Sequence, residues 1–312
     1  MIYNLYFHND FDGIASTAIL MNFLKAKGDK IAAFYPVQYP INFKAWEKIS
    51  FKKPTIIVDF IYHPKAKIWF DHHPTAFIKD SWRKNFRAKK LLRWDCNYKS
   101  CGSLILDSLK KDFKFRPKKF LLELAKWSDK IDKFAFKNPR ESISFKKPAM
   151  KLFLLLDNFS VSKKILGKII KSLATIPLRE TSKIKELKLL FKKIDKEIKK
   201  SWTFYRKNIK ISNKVAFINE IKNNCLKIRP IFSYLSFKAP YSIIFNEKSK
   251  SFGLTVGKNP WKKINDSIHI GNFLRKNYGG GGHQNIGGVN FPTKTKALKA
   301  IKEIENFLNK PR

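Results

Sequence analysis

IYNLYFHNDFDG, residues 2–13, decides the fold. Residues 2–7 are an apolar run that reads as a buried strand. His8, Asp10 and Asp12 leave its end at alternate positions, Gly13 allows a tight turn, and 13–27 reads as the helix that follows. Residues 31–35, 55–59 and 67–70 read as further strands. Strands alternating with helical segments imply an α/β class: a mostly parallel sheet with flanking helices. Polar groups interrupt these apolar runs at one kind of place. Asp10, Asp12, Asp59 and the run Asp71, His72, His73 all stand at or just past the carboxyl end of a strand, the edge along which open α/β sheets place their ligands.

Farther along, 100–111 reads as a helix with Ser100 as its cap and Leu104, Ile105 and Leu109 on one face. A second apolar helix, 120–127, ends at Ser128-Asp129-Lys130-Ile131-Asp132. The leucine run 152–156 is closed by Asp157 and reads as core. Residues 181–202 are highly charged, with Ile184, Leu187, Leu190, Phe191 and Ile194 in an apolar stripe. That pattern serves equally for a connecting helix and for an ordinary surface helix. From 214 the texture changes to short β-like runs at 215–219, 241–246 and 252–256. A helix at 268–278, a glycine run, a strand at 289–291 and a helix at 295–308 follow. The expected organisation is a first domain at 1–180, a connecting helix at 181–212 and a smaller C-terminal α+β domain at 213–312.

The 312 residues carry 65 Lys and Arg against 24 Asp and Glu, a formal charge of +41. Such a surface favours a polyanionic partner. The lysines are spread along the whole chain, however, and Lys, Asn, Ile and Phe are the residues an AT-rich genome favours, so charge alone does not name the partner. No apolar stretch approaches the ~20 residues of a membrane span. The N-terminus lacks the pattern of a signal peptide. Cys96, Cys101 and Cys225 have no CxxC spacing, and a cytoplasmic, reduced protein is expected. Cys96 and Cys101 read as buried small side chains rather than catalysts.

Carboxylates and imidazoles converging at strand ends suit hard divalent cations. Each piece alone is ambiguous: HxDxDG is rich in common turn formers, and a strand-end residue such as Asp59 also starts turns or caps helices. Three potential ligands in a row at 71–73 are rarer. Together and in this order, HxDxDG, a strand-end Asp and the DHHP of residues 71–74 resemble the DHH phosphoesterases, a family of RecJ-type exonucleases, nanoRNases and cyclic-dinucleotide phosphodiesterases. The resemblance implies two divalent cations, Mn²⁺ foremost and Mg²⁺ as the alternative. His8 and Asp10 would hold one, Asp12 and His72 the other, with Asp59 bridging and Asp129 supplying the fourth motif. Asp132 would stand in for Asp129 or support it. His73 would donate to the scissile phosphate, and Asp71 would orient the imidazoles. The paired cations would activate a shared water for in-line attack on phosphorus.

The second motif is YGGGGHQNIGG, residues 278–288. Consecutive glycines let backbone N–H groups approach a phosphate, although glycines alone equally read as a hairpin or a helix terminator. With His283 the stretch resembles the glycine-histidine element of the DHH-associated C-terminal domain, which implies substrate contacts from Gly280, Gly281, Gly282 and His283 in the cleft between domains. The strand 252–256 lacks the arginine that relatives place there, leaving Lys258 or Asn259 as substitutes and Trp261 as a residue that would stack a base or simply pack. The expected activity is hydrolysis of short single-stranded RNA or DNA to nucleoside monophosphates. A phosphatase, a cyclic-dinucleotide or 3′-phosphoadenosine 5′-phosphate hydrolase, and a nucleic-acid-binding protein that has lost catalysis are the alternatives.

Overall fold

The computed structural model describes residues 1–310 apart from 40, 222, 224, 249 and 250. The chain forms two compact units, residues 1–136 with 145–192, and 137–144 with 193–312. In chain order the first contains β1 (Ile2–His8), α1 (Phe11–Ala26), β2 (Lys30–Val37), α2 (Phe43–Lys48), β3 (Thr55–Val58), β4 (Ile68–Asp71), α3 (Asp80–Asn85), β5 (Leu92–Trp94), α4 (Cys101–Phe113) and α5 (Lys119–Asp132). The short α6 (Pro139–Ser142) belongs to the other unit. It is followed by α7 (Pro148–Asn158), α8 (Lys163–Leu173) and α9 (Leu178–Thr181) of the first, and by α10 (Lys185–Asn208), which carries the chain onward.

All five strands of the first sheet are parallel, in the order β2-β1-β3-β4-β5. Every residue of β3 and β4 is buried, as expected for central strands covered on both faces. Helix α1 packs against α4, α5 and α8. A separate aromatic cluster gathers Trp46, Phe60, Tyr62 and Trp69 around Ile57. Because the strands are parallel, their carboxyl ends share one edge, and every polar position singled out at a strand end is brought to it.

Local chemistry sets that edge. Asp10 caps α1, accepting the Gly13 N–H at 2.8 Å, so the helix begins two residues before the expected 13. A Cβ at position 13 would lie 2.0 Å from the His8 carbonyl oxygen, which only glycine avoids. Asp59 follows β3 with φ +57°, a left-handed conformation that Asp tolerates better than most residues. Ser100 caps α4 through Ser103 N–H, as expected. Helix α5 does not stop at 128 but runs through Asp132, because Ser128-Asp129-Lys130-Ile131-Asp132 contains no breaker. Cys96 is exposed, contrary to expectation, whereas Cys101 is buried. The stripe of α10 is real, with Leu187, Phe191, Ile194, Ile198 and Tyr205 buried at the alternating spacing of one helix face.

The second unit contains β6 (Lys210–Ser212), β7 (Val215–Asn219), α11 (Arg229–Leu235), β8 (Tyr241–Lys248), β9 (Ser251–Lys258), α12 (Ile270–Tyr278), β10 (Gly281–Gly282), β11 (Ile286–Phe291) and α13 (Lys294–Asn309). Its six-stranded sheet has the order β10-β11-β9-β8-β7-β6 and is antiparallel except between β7 and β8. Ile243, Val256, Ile270, Leu274, Ala297 and Ile304 lie in its core. Among the described residues no helix is long and apolar enough to cross a membrane.

Candidate metal centre

Six side chains from five elements meet at the carboxyl edge of the first sheet. His72 Nε2 lies 3.5 Å from Asp12 Oδ2, 3.6 Å from Asp59 Oδ1 and 3.7 Å from Asp132 Oδ2. His8 Nδ1 lies 2.8 Å from Asp10 Oδ2 and 3.8 Å from Asp59 Oδ2. Three overlapping ligand groups result, His8 with Asp10 and Asp59, Asp12 with His72 and Asp132, and Asp59 with His72 and His73; Asp59 approaches His8 and His72 through different oxygens.

The surroundings hold these groups in ligand form. His72 Nδ1 lies 3.2 Å from the Tyr98 carbonyl oxygen; a proton there leaves the Nε2 lone pair facing the carboxylates. Burial holds the His72 pKa below the ordinary imidazole value. Asp12 accepts Ser16 Oγ at 3.0 Å, Ser128 Oγ at 2.7 Å, and the N–H groups of Cys101 and Gly102 at 2.7 and 3.1 Å. It thus sits on the first turn of α4, where the helix dipole favours an anion. The Cys101 thiol donates to the Phe70 carbonyl and is inert by burial.

Asp59 has the most telling environment. It is 1% exposed, and neither carboxylate oxygen has a hydrogen-bond partner; His72 Nε2 is likewise unpartnered. Burial, then the charges of Asp12 and Asp10, drive its pKa well above the carboxylate range. Orphaned buried acceptors of this kind are costly, and a cation is the partner that would satisfy three at once. The donor set, carboxylates with neutral imidazole, suits a divalent ion.

His73 plays a different part. Its Nδ1 lies 2.8 Å from Asp71 Oδ1, which also accepts the backbone N–H groups of His72 and His73. Burial opposes a charge on His73, but the Asp71 carboxylate outweighs it and raises the pKa to about 9. The ring is an imidazolium with a face open to solvent.

The two fourth-motif candidates are placed differently. Asp129 accepts Ser100 Oγ at 2.6 Å, whereas Asp132 joins Asp12 and His72. The helix explains the difference. Ser128 points at Asp12, and four residues on, just over one turn, Asp132 faces nearly the same way, whereas Asp129 is rotated about 100°. Ser16, Ser128, Tyr98 and the α4 N–H groups escaped the sequence reading. Serine and backbone groups carry no distinctive spacing.

In the second unit the glycine run is both a helix terminator and a hairpin. Gly279 ends α12 with φ +69°, and β10 pairs with β11 through Gly281–Gly288 and Gly282–Gly287. Gly282 has φ +142°, and a Cβ there would meet the Ile286 carbonyl oxygen at 2.4 Å. The turn carbonyls of His283 and Gln284 accept the Gly271 and Ile270 N–H groups. The His283 side chain is exposed. Both candidate substitutes for the missing arginine already have partners. Asn259 donates to the Phe237 and Ala239 carbonyls and accepts Trp261 N–H, bracing its own turn. Lys258 is paired with Asp266 at 2.7 Å and largely buried. Trp261 is half-buried. Exposed Arg275 lies beside the hairpin, its guanidinium 4.0 Å from where a Gly281 Cβ would be.

Comparison with solved structures supplies the likeness. The pGpG-specific phosphodiesterase PggH from Vibrio cholerae superposes with a TM-score of 0.72 at 18% identity, over 98% of this chain and 99% of that one. The chain has the DHH phosphoesterase fold. An exonuclease RecJ bound to manganese shares that fold with a TM-score of 0.52 at 15% identity, over 100% of this chain and 91% of that one. An exopolyphosphatase-related protein from Bacteroides fragilis gives 0.51 at 15%, over 98% and 92%. No protein-family model and no curated protein matches the sequence. The likeness to these structures is one of fold, at 15–18% identity.

Proposed function

We propose that this protein is a metal-dependent phosphodiesterase that hydrolyses short single-stranded oligonucleotides, dinucleotides included, to nucleoside monophosphates. The observation that carries the reading is buried Asp59, with both oxygens unpartnered between two imidazole-carboxylate groups. In this reading His8, Asp10 and Asp59 would hold one divalent cation and Asp12, His72 and Asp132, with Asp59 beside them, the other, with Mn²⁺ foremost and Mg²⁺ as the alternative. Such a pair supplies Lewis-acid activation of water and neutralises phosphoryl charge.

The chain's own groups do the rest. Neutral His72, fixed through Tyr98, keeps a lone pair inward. Asp12 is held by four donors and does not need to reorganise. His73, locked to Asp71 and cationic below about pH 9, donates a hydrogen bond to a non-bridging oxygen of the scissile phosphate and stabilises charge as it develops. No Ser or Cys nucleophile is needed, consistent with a Cys101 thiol pushed far up by burial.

The substrate class draws on two supports. A pGpG-specific phosphodiesterase matches this chain along nearly its whole length, so a two-unit chain of this size suits short linear substrates. The +41 charge suits a polyanion. Free cysteines fit a reducing, cytoplasmic setting.

The test is hydrolysis, in Mn²⁺, of an RNA pentamer and pGpG against cyclic di-AMP, 3′-phosphoadenosine 5′-phosphate and polyphosphate. Mononucleotide release from the first two at least tenfold faster than turnover of the others is expected. Equal or faster turnover of the others overturns the substrate assignment, and RNA binding without any hydrolysis overturns the enzyme.

A further inference from the structure

Residues 79–94, KDSWRKNFRAKKLLRW, interleave basic and aromatic side chains and have no place in the mechanism above. They carry α3 and β5 of the first unit. Aromatic members fasten the segment to the sheet: Trp82 packs edge-on to Tyr62 and His63, and Phe86 edge-on to Trp69. Three of the basic members are taken. Lys79 pairs with Glu47, Arg87 donates to the Lys84 and Phe86 carbonyls, and Arg93 is bound to Asp112 at 2.5 Å. Arg83 is exposed, and among the described residues no carboxylate lies within ion-pair distance of it. Asp95, which follows Trp94, accepts the Asn97 N–H instead. The Arg83 guanidinium lies over the Trp94 ring, 5.2 Å from its centroid. Stacking of this kind leaves the in-plane N–H fork of an arginine free.

Trp94 connects that fork to the reacting edge. Its indole N–H donates to the His73 carbonyl at 2.9 Å, and its backbone lies opposite Asp71 in the β4–β5 pairing. The exposed Cys96 thiol, just past β5, marks the same rim: burial, Asp71 and Asp95 raise its pKa, while Arg83 and Lys133 act in the opposite sense. Lys133 itself stands 3.9 Å from Asp132. Two cations thus stand at the β5 end of the carboxyl edge, within electrostatic reach of one thiol.

We propose that Arg83, stacked on Trp94, binds a second phosphate of the substrate, the one next along the strand from the scissile phosphate at His73. The inference rests on the phosphodiesterase reading for the place of the scissile phosphate. A planar guanidinium meets phosphate oxygens with two parallel N–H bonds. One indole ring is all that separates it from His73, which suits a neighbouring phosphate of the same strand. The contact reads charge and not base, so it serves any sequence.

Hydrolysis of ApA, pApA and ApAp by the full chain in Mn²⁺ tests this, since the three differ only in a phosphate added at one end or the other. One of the added phosphates should raise kcat/KM about tenfold or more over ApA, mainly through KM. The end that gains gives the direction in which the strand lies. In Arg83→Gln, at an exposed position, that gain should fall to about twofold or less. Arg83→Lys should recover part of it, because an ammonium keeps the charge without the planar fork. No gain at either end in the wild type, a gain that survives Arg83→Gln, or a uniform fall across the three substrates overturns the proposal and leaves the phosphodiesterase standing. If the wild type cuts none of the three, the enzyme reading falls instead, and calorimetric binding of the same set decides the site. Affinity gained with the added phosphate and lost in Arg83→Gln keeps it; equal affinities remove it.

Discussion

At the carboxyl edge of β1, β3 and β4, polar side chains are buried against one another, and Asp59 keeps two oxygens unpartnered inside the protein. At the β10–β11 hairpin His283, Gln284 and Asn285 are exposed, while the turn's carbonyls accept from α12 and β9 and the His283 N–H donates to Ile286. The first region stores unfavourable electrostatics that only a bound partner relieves. The second is satisfied as it stands. A site that is strained without its ligand declares its chemistry, whereas one that is content without it declares only its shape.

The sharpest way to break this contrast is Asp59→Asn. Hydrolysis should fall by about 10³-fold or more, while the metal-free protein should unfold at a higher temperature near neutral pH, because folding no longer has to bury an acid whose pKa is driven up. Lost activity together with a lower unfolding temperature would mean that Asp59 is structural. Next in size, Asp132→Asn should cost about 100-fold in Mn²⁺ affinity, measured by calorimetry. Asp129→Asn should leave that affinity within about twofold and cost about 1 kcal/mol of stability through its bond to Ser100. The reverse pattern would restore Asp129 as the ligand.

The stored charge also has a pH signature. Asp132 is raised from 3.8 to about 7 by burial and by Asp12, and His73 from 6.5 to about 9. Both groups bind more protons folded than unfolded, so each loses stabilisation as pH rises: Asp132 between about 4 and 7, His73 between about 6.5 and 9. The unfolding temperature of the metal-free protein should therefore fall from pH 5 to 9, and Mn²⁺ should flatten the curve. A metal-free profile that rises with pH would contradict the assignment. The smallest effect belongs to the hairpin. His283→Ala should raise KM a few-fold with kcat nearly unchanged, as expected when one exposed donor contributes uniform binding; an equal fall in kcat would make the hairpin part of the chemistry.

The same contrast explains what was legible in the sequence. Acids and imidazoles at strand ends are chemically loud, and the parallel sheet follows from the alternation that carries them, so His8, Asp10, Asp12, Asp59 and His72 could be named before any coordinates. The sequence ends the α5 helix at 127 and offers Asp129 with Asp132 as its stand-in; because the helix continues through Asp132, it is Asp132 that shares the Ser128 side of the helix. Asn259 beside Lys258 and a proline looked available in the sequence, yet carbonyls from the preceding turn consume its amide. Main-chain contributors such as Cys101 and Gly102 N–H have no sequence signal at all. The leucine run 152–156, read as core, lies in α7 with Leu152, Leu154, Leu155 and Leu156 buried.

Asp12 ties three helices together, since Ser16 of α1, Ser128 of α5 and the leading amides of α4 all converge on one carboxylate. Helix order and cation occupancy are thereby mechanically joined. Amide hydrogen exchange at Cys101 and Gly102 should slow when the cation enters, making the start of α4 a built-in gauge of whether the enzyme is loaded.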